Sequence, residues 1–312
     1  GRDMTETANF SGVMAPVLTP FGEDGSPDPD RFVEHSEWLL GDGGCTALAP
    51  FGTTSEANSL GIDERMDLLE ELVESGIEPL NLMPGTGTCS LTDTITLTQH
   101  AIDMGCGGVL MLPPFYYKGL SDEGLFKYFA EVIDEISDEN LRIYLYHIPQ
   151  VAGVGFSLEL IERLRREFPE TVLGLKDSSG DWSNMQAILD RFPGFELFAG
   201  NESFLLACLR GGGAGTISAA ANVNGAMMRN LFDDCQSNDA DAVQTTVSAL
   251  RETLQAYPMI PVLKALLAHF RGDPAWAVLR APNLALDPDR TAEAVRTLAE
   301  RHGFRLEFTE TV

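Results

Sequence analysis

The regular alternation of short apolar runs with amphipathic helical stretches most constrains the fold of this chain. Eight β-rich runs recur between residues 12 and 218, and each precedes a segment with helical spacing. The runs are almost continuously apolar, which is typical of parallel strands covered on both faces. They are GVMAPVLT (12–19), CTALAPFG (45–52), PLNLMPG (79–85), GGVLMLPP (107–114), RIYLYHIP (142–149), TVLGLKD (171–177), FELFAG (195–200) and GAGTIS (213–218).

Eight strand–helix units in this order predict an α/β fold of the (β/α)8 type, the TIM barrel. A doubly wound open sheet is the alternative, but no GxGxxG follows the first run. Beyond residue 222 the chain reads as helical throughout, with more helix than an eighth unit needs. We therefore predict a barrel core over residues 10–222, followed over 223–312 by the last barrel helix and a small C-terminal helical extension.

Charge and cysteine usage exclude several classes of function. The net charge of −26 argues against binding to nucleic acid or to anionic membranes, because both need a basic surface. The five cysteines form no CxxC pair and no zinc-type cluster with histidine, so we expect free thiols and no metal. No apolar run reaches transmembrane length, and the opening GRDMTETANF has no apolar signal core. We therefore expect a cytoplasmic protein.

Reactive residues of the chain occur where the predicted strands end. In a (β/α)8 barrel the active site lies at these carboxyl ends. The candidates are Gly52, Thr53 and Thr54 after the second run, Tyr116 and Tyr117 after the fourth, His147 in the fifth, Lys176 in the sixth, Gly200 in the seventh and Ile217 in the eighth.

Lys176 is the strongest of these candidates. The chain has only four lysines, and Lys176 directly follows an apolar run. An apolar surrounding disfavours the charged ammonium, and a neutral amine can attack a carbonyl to form a Schiff base. The resulting iminium is an electron sink, so that a carbanion next to it becomes accessible without a metal. Alternatively, Lys176 is a buried lysine paired with Asp177 or Asp181, and the local sequence alone does not separate the two interpretations.

The other candidates also have a functional and a structural interpretation. Tyr117 is suited to relay protons during imine formation and carbon–carbon cleavage, or it packs at the barrel rim, the interpretation we favour for Tyr116. Thr53 and Thr54 follow a glycine, and such a turn can cradle a carboxylate or be an ordinary threonine-rich turn. His147, inside an apolar run, is either a core residue or a catalyst.

Six segments, taken in order, resemble the dihydrodipicolinate synthase/N-acetylneuraminate lyase family of Schiff-base aldolases. The resemblance covers roughly residues 10–300, and each segment falls at a strand end of the expected barrel. The segments are TPFGEDGSPD (19–28), FGTTSE (51–56), PPFYYKGLSDEGL (113–125), YHIPQVAGV (146–154), GLKDSSGD (174–181) and GTISAAANV (215–223).

The resemblance implies roles for the matching residues. Lys176 would form the Schiff base with pyruvate or another 2-keto acid, and Tyr117 would be the proton shuttle. The keto acid's carboxylate would lie on Thr53 and Thr54. The full set of substrate-binding positions implied or suggested by the match is Gly52, Thr53, Thr54, His147, Ser178, Gly200 and Ile217.

Departures from the family pattern concern the second substrate. The synthases carry an arginine in the loop after the fifth strand, where this chain has Val151, and a valine cannot replace an arginine fork. They also use a tyrosine after the third strand, and GTGTCSL (85–91) has none. Sugar-contacting positions of the sialic acid lyases fall at Ala219 and Ala221, and only Glu202 matches their acidic pair.

We therefore predict a lyase that forms a lysine Schiff base with pyruvate or another 2-keto acid. It would catalyse reversible aldol cleavage or condensation, or dehydration, of a 2-keto-3-deoxy sugar acid or related substrate, with an aldehyde as the second partner. The alternatives are a dihydrodipicolinate synthase that condenses pyruvate with aspartate semialdehyde and a non-catalytic barrel that binds 2-keto acids. The resemblance further implies a homotetramer built as a dimer of dimers, without a metal or organic cofactor.

Overall fold

A parallel sheet of seven strands forms the centre of the computed structural model, which describes residues 10–309. The strands are β1 (Gly12–Ala15), β2 (Ala47–Leu48), β3 (Val109–Met111), β4 (Ile143–His147), β5 (Val172–Asp177), β6 (Glu196–Ala199) and β7 (Gly215–Ile217). They are hydrogen-bonded in the order β2–β1–β7–β6–β5–β4–β3. The predicted lack of a signal core at residues 1–9 and the end of the extension at 310–312 lie outside the described residues.

Residues 82–86 join the two edges of this sheet. The amide of Met83 donates to the carbonyl of Leu48 at 2.9 Å, and the amide of Thr86 donates to the carbonyl of Leu110 at 3.0 Å. Parallel bridges link Leu82 to Leu48 and Gly85 to Leu110. The sheet therefore curls round and closes on itself through this segment.

The regular strand predicted at 79–85 is wrong in part. Its first residues, Pro79–Asn81, form a 3-10 turn, and the following residues make only isolated bridges. Pro79 and Pro84 have no N–H group to donate, which interrupts a ladder of hydrogen bonds. The segment keeps the position of a strand between β2 and β3 without its regular pairing.

Helices follow the strands, and several begin at residues whose side chains cap the first turn. The side chains of Ser121, Ser157 and Asp181 accept hydrogen bonds from the first-turn amides of their helices. No helix within residues 10–309 combines the length and apolar character needed to cross a membrane. The helices are α1 (Pro29–Leu40), α2 (Ile62–Glu74), α3 (Leu91–Asp103), α4 (Asp122–Ile136), α5 (Pro149–Ala152), α6 (Leu158–Glu167), α7 (Trp182–Arg191), α8 (Leu205–Arg210), α9 (Ala221–Asp233), α10 (Ala240–Gln255), α11 (Met259–Arg271) and α12 (Pro288–His302).

Two apolar clusters explain why the strands are apolar on both faces. Along β4, Tyr144 and Tyr146 belong to the cluster inside the curled sheet, whereas Ile143 and Leu145 belong to the cluster between the sheet and the helices. In β5, Leu175 belongs to the outer cluster. Because side chains alternate along a strand, the next residue, the buried Lys176, points into the barrel. The five cysteines are free, as expected.

A tyrosine and a glutamate close the end of the barrel away from the strand carboxyl ends. The hydroxyl of Tyr144 donates to Glu196 Oε2 at 2.9 Å, across Gly174 of the strand between them. A side chain at Gly174 is excluded, because its Cβ would lie 2.8 Å from the Tyr144 ring and 2.2 Å from the Glu196 carbonyl. Burial raises the pKa of Glu196 to about 7, although Tyr144 and Arg142 oppose this.

Replacing Glu196 with glutamine is expected to stabilise the fold above pH 7 and to have no effect near pH 4. Because the folded-state pKa of about 7 exceeds the ordinary 4.5, the wild type loses stability as pH rises through this window. Glutamine avoids that loss, which we expect to be about 1–2 kcal/mol after discounting for partial exposure. Urea denaturation between pH 4 and 8 measures it, with the exposed Glu170→Gln as control. An equal difference at both pH limits would contradict the assignment.

Candidate active site

A cavity of about 860 Å³ opens at the carboxyl ends of the strands. Lys176 and Tyr146 line it from β5 and β4, and Thr53 and Thr54 line it from the turn after β2. Residues 258–261 and 282–284 of the helical extension complete its wall. The site predicted from the sequence and the observed cavity therefore lie at the same end of the barrel.

Lys176 is buried in this cavity without an acidic partner. Its side chain lies beside Tyr146 of β4 in register, and its Nζ is 4.5 Å from the centre of the Tyr146 ring. Asp177 instead accepts hydrogen bonds from Ser179 and Asn184, and Asp181 caps α7. Lys176 forms no ion pair or hydrogen bond within residues 10–309. The structure thus excludes the lysine–aspartate pair that the local sequence left open.

Lys264 shows what an ordinary buried lysine looks like in the same molecule. Its Nζ lies 2.6 Å from Glu56 Oε2 and 2.7 Å from the carbonyl of Val278, and both charged side chains are fully buried. A buried charge normally has such a partner, because leaving it unpaired costs several kcal/mol. Lys176 departs from this rule, and an unpaired amine at a cavity is available to react.

The threonine turn and Tyr146 form the polar side of the cavity next to the lysine. Thr53 Oγ1 lies 2.9 Å from the Tyr146 hydroxyl, and Tyr146 is buried. Phe51 and Glu56 bracket the turn with φ of 63° and 58°, so the chain reverses tightly there. Gly52 supports the turn through its carbonyl, which accepts from the amide of residue 57, but it does not line the large cavity.

Ser178 and Gly200 also line the cavity, whereas Ile217 does not. The amide of Gly200 donates to the carbonyl of Asp177 at 2.8 Å, and a Cβ at position 200 would lie 2.1 Å from Ser178 Oγ. The close approach of these two loops therefore requires glycine. Ile217 is fully buried in the cluster inside the sheet.

His147 and Tyr117 lie outside the cavity in the single chain. His147 follows Tyr146 on β4, so it points to the outer face, where its Nδ1 accepts from the amide of Phe156 at 3.1 Å. Burial lowers its pKa, against the effect of Asp177. Its position matches the core interpretation and contradicts direct contact with a substrate in this cavity. Tyr117 is 69% exposed and packs edge-on against Tyr116.

Tyr146 and Arg251 line the cavity, and neither was among the residues predicted from the sequence. The sequence does contain a pattern that points to Tyr146. It lies in an apolar run, one residue before His147 and two residues after Tyr144, so the two tyrosine side chains point to the same face of the strand. Arg251 lies on α10, far along the chain, and no local pattern connects it with the strand ends.

Comparison with known proteins identifies the family to which this chain belongs. The model of the dihydrodipicolinate synthetase family matches residues 9–301. An uncharacterized DapA-like lyase of Chloroflexus aurantiacus is 35% identical over 291 residues, covering 93% of this chain and 96% of the relative. A similar DapA-like lyase of Halobacterium salinarum is 32% identical and covers 93% of each chain.

Solved structures agree with the family model. The dihydrodipicolinate synthase of Agrobacterium tumefaciens superposes with a TM-score of 0.86 at 33% identity, covering 93% of this chain and 98% of that one. YagE of E. coli, solved in complex with pyruvate, gives 0.84 at 26% identity, with the same coverage of both chains. These matches confirm the predicted resemblance and show that the chain belongs to the dihydrodipicolinate synthetase family of lyases.

Proposed function

We propose that this lyase uses Lys176 to form a Schiff base with pyruvate or another 2-keto acid, and that it catalyses reversible aldol cleavage or condensation. The observation that carries the proposal is a buried lysine amine at the cavity that has no carboxylate partner and no hydrogen bond within residues 10–309. The pyruvate bound to the related YagE supports the choice of keto acid.

In the proposed mechanism the keto acid's carboxylate lies on the turn of Thr53 and Thr54. Lys176 Nζ attacks the keto carbon, and the carbonyl oxygen leaves as water. The iminium then accepts the electrons of the breaking C3–C4 bond, while the C4 hydroxyl loses its proton and becomes a carbonyl, so that the fragment containing C4 departs as an aldehyde. Tyr146, whose hydroxyl is hydrogen-bonded to Thr53, is positioned to carry these protons. Protonation of the enamine and hydrolysis release pyruvate and the free lysine.

Tyr117, predicted as the shuttle, would act on Lys176 only from a second copy of the chain. Its ring and that of Tyr116 are largely exposed, and Leu120 and Val151 are also exposed. Large exposed apolar surface on a protein is typical of an interface. This supports our proposal of an oligomer, with a homotetramer as the expected form. We further propose that the enzyme is cytoplasmic and acts on small molecules.

We also propose that the curled sheet and residues 82–86 together make an eight-position (β/α)8 barrel. Residues 10–222 would form its core, and 223–312 the last barrel helix with the helical extension. The hydrogen bonds of residues 82–86 to both sheet edges support the closed barrel. Dehydration of a 2-keto-3-deoxy sugar acid is a variant that begins from the same imine.

The second candidate function is condensation of pyruvate with aspartate semialdehyde, which the relatives named as dihydrodipicolinate synthases favour. Val151 opposes it, because this 65% exposed valine lines the cavity where the synthases have an arginine. Turnover of aspartate semialdehyde at a rate similar to that of the best 2-keto-3-deoxy acid would support the synthase.

Borohydride trapping tests the proposed chemistry directly. The protein is incubated with pyruvate and borohydride, digested, and analysed by mass spectrometry. Reduction of the imine should add a stable pyruvate-derived mass to Lys176, and only four lysines need to be distinguished. An adduct on none of them, with pyruvate or any other 2-keto acid, would leave the non-catalytic barrel as the better interpretation.

A further inference from the structure

The charge of the cavity lining is opposite to the charge of the protein. The chain has 47 acidic and 21 basic residues, with a net charge of −26. Among the described residues that line the cavity, however, no aspartate or glutamate occurs, and the two charged side chains are Lys176 and Arg251. Arg251 is paired with Glu202 behind the lining, but Lys176 has no carboxylate partner among the described residues, so the lining as a whole favours a ligand that carries negative charge. Of these two cationic side chains, only Lys176 has a role in the proposed Schiff-base chemistry, and Arg251 has none.

Arg251 reaches the cavity from α10 and is held in a fixed orientation. Its Nη1 donates to Glu202 Oε1 at 2.6 Å and to Ser218 Oγ at 3.1 Å. Glu202 is buried just after β6, and its carbonyl accepts from Gln244 of α10 at 3.0 Å. The arginine side chain is 13% exposed. Its orientation is therefore preset before any ligand enters.

The opposite edge of the Arg251 guanidinium has no partner. Nη2 forms no hydrogen bond within the described part of the chain and is not buried, whereas Nε is buried and also unpaired. An unpaired guanidinium N–H group donates a strong, charge-assisted hydrogen bond to a carboxylate or a phosphate. Nη2 is therefore a donor that an anionic group in the cavity can reach.

Arg251 also supplies a cation to a cavity that lacks the arginine of the family pattern, because this chain has Val151 at that position. Val151, in the helix after β4, leaves that side of the cavity without a cation. Arg251 approaches instead beside Glu202 and Ser218, after β6 and β7. A cation at a different point of the wall would select a substrate of different length and shape from one held at position 151.

We propose that Arg251 binds an anionic group, a carboxylate or a phosphate, at the end of the substrate remote from the keto-acid carboxylate. The inference rests on the proposed function, since it assumes that the keto acid end lies at Lys176. The substrate class is then a 2-keto-3-deoxy acid with a negative charge at both ends, and the aldehyde released on cleavage is itself an anion.

The test compares three six-carbon 2-keto-3-deoxy acids that end in a hydroxyl, a carboxylate or a phosphate monoester. The wild type should cleave at least one of the two charged-end acids with a kcat/KM about 10-fold or more above that of the hydroxyl form. In Arg251→Gln this preference should disappear through a loss of about 10- to 100-fold on that substrate, mainly in KM, with the neutral acid changed little. The better charged substrate distinguishes carboxylate from phosphate.

Two further variants separate ligand binding from a structural role. Arg251→Lys keeps a charge beside Glu202 but lacks a second nitrogen like Nη2, so it should recover stability without recovering the full preference. Arg210→Gln breaks the ion pair of α8 with Asp241 of α10, away from the cavity, and should leave all three kcat/KM values unchanged. Equal losses on charged and neutral substrates in Arg251→Gln would overturn the proposal.

Pyruvate trapping distinguishes failure of this inference from failure of the proposed function. Pyruvate has no distal group, so Arg251→Gln should form the borohydride adduct at Lys176 as the wild type does. If the wild type forms the adduct but cleaves charged and neutral acids equally well, the role of Arg251 is wrong and the Schiff-base function stands. If the wild type forms no adduct, the proposed function itself fails.

Discussion

Replacing Lys176 with methionine is expected to abolish the borohydride-trapped pyruvate adduct and to lower kcat by a factor on the order of 10³ or more. Methionine matches the length of the lysine side chain but has no amine to form the iminium, and without the iminium the C3–C4 electrons have no sink. Lys176→Arg should be as inactive, because a guanidinium stays protonated and does not attack a carbonyl. Mass spectrometry of the trapped protein and single-turnover pyruvate release measure both effects.

Stability distinguishes this lysine from the other buried one. Lys176 has no ion pair to lose among the described residues, so Lys176→Met should leave the free energy of unfolding unchanged or raise it. Lys264→Met, in contrast, leaves the buried Glu56 without its ion-pair partner and should cost about 3–5 kcal/mol. The exposed Lys127 provides the control for trapping, since Lys127→Met should keep the adduct. A persistent adduct in Lys176→Met would show that another lysine is the nucleophile.

The periodic pattern was sufficient to predict the barrel-like parallel sheet and the end of the sheet at which the cavity opens. It was insufficient at residues 79–85, where Pro79 and Pro84 leave apolar character without regular pairing. A run of apolar residues indicates that a segment is buried. Regular strands are buried, but so is the segment of residues 82–86, which lies between β2 and β3 with only isolated bridges. A regular strand differs from such a segment in having a backbone N–H donor at each paired position. Two prolines in seven residues are the sequence feature that indicates missing donors here.

The candidate site was predictable where a residue ends a strand and unpredictable where it depends on register or on a distant helix. Lys176 belongs to the first kind. The neighbour of Lys176 is set by the pairing of β4 with β5, which brings Tyr146 beside it and turns His147 away. Arg251 depends on how α10 docks through Gln244 onto the residue after β6, which is a tertiary contact without a periodic signal.

Replacing Tyr146 with phenylalanine is expected to lower kcat by about 10²- to 10³-fold, while the pyruvate adduct at Lys176 still forms, only more slowly. The ring keeps its packing against the lysine, and only the hydroxyl bonded to Thr53 is lost. Tyr144→Phe is the matched control. It makes the same change two residues away on the same strand and face, but it removes a hydroxyl that donates to Glu196 and not the one that contacts Thr53. Single-turnover cleavage and the rate of trapping measure the two steps separately.

Mixing of inactive variants decides whether the phenol acts within one chain or between two. If Tyr146 serves the Lys176 of its own chain, a mixed oligomer of Tyr146→Phe and Lys176→Met chains should recover no activity. If Tyr117 serves the lysine of a neighbouring copy, Tyr117→Phe mixed with Lys176→Met should recover activity, because one site then combines an intact lysine with an intact tyrosine. Unchanged kcat in Tyr146→Phe, with a large loss in Tyr117→Phe, would return the shuttle role to Tyr117 alone. The exposure of Tyr117 and the burial of Tyr146 beside Lys176 lead us to expect the opposite order of effects.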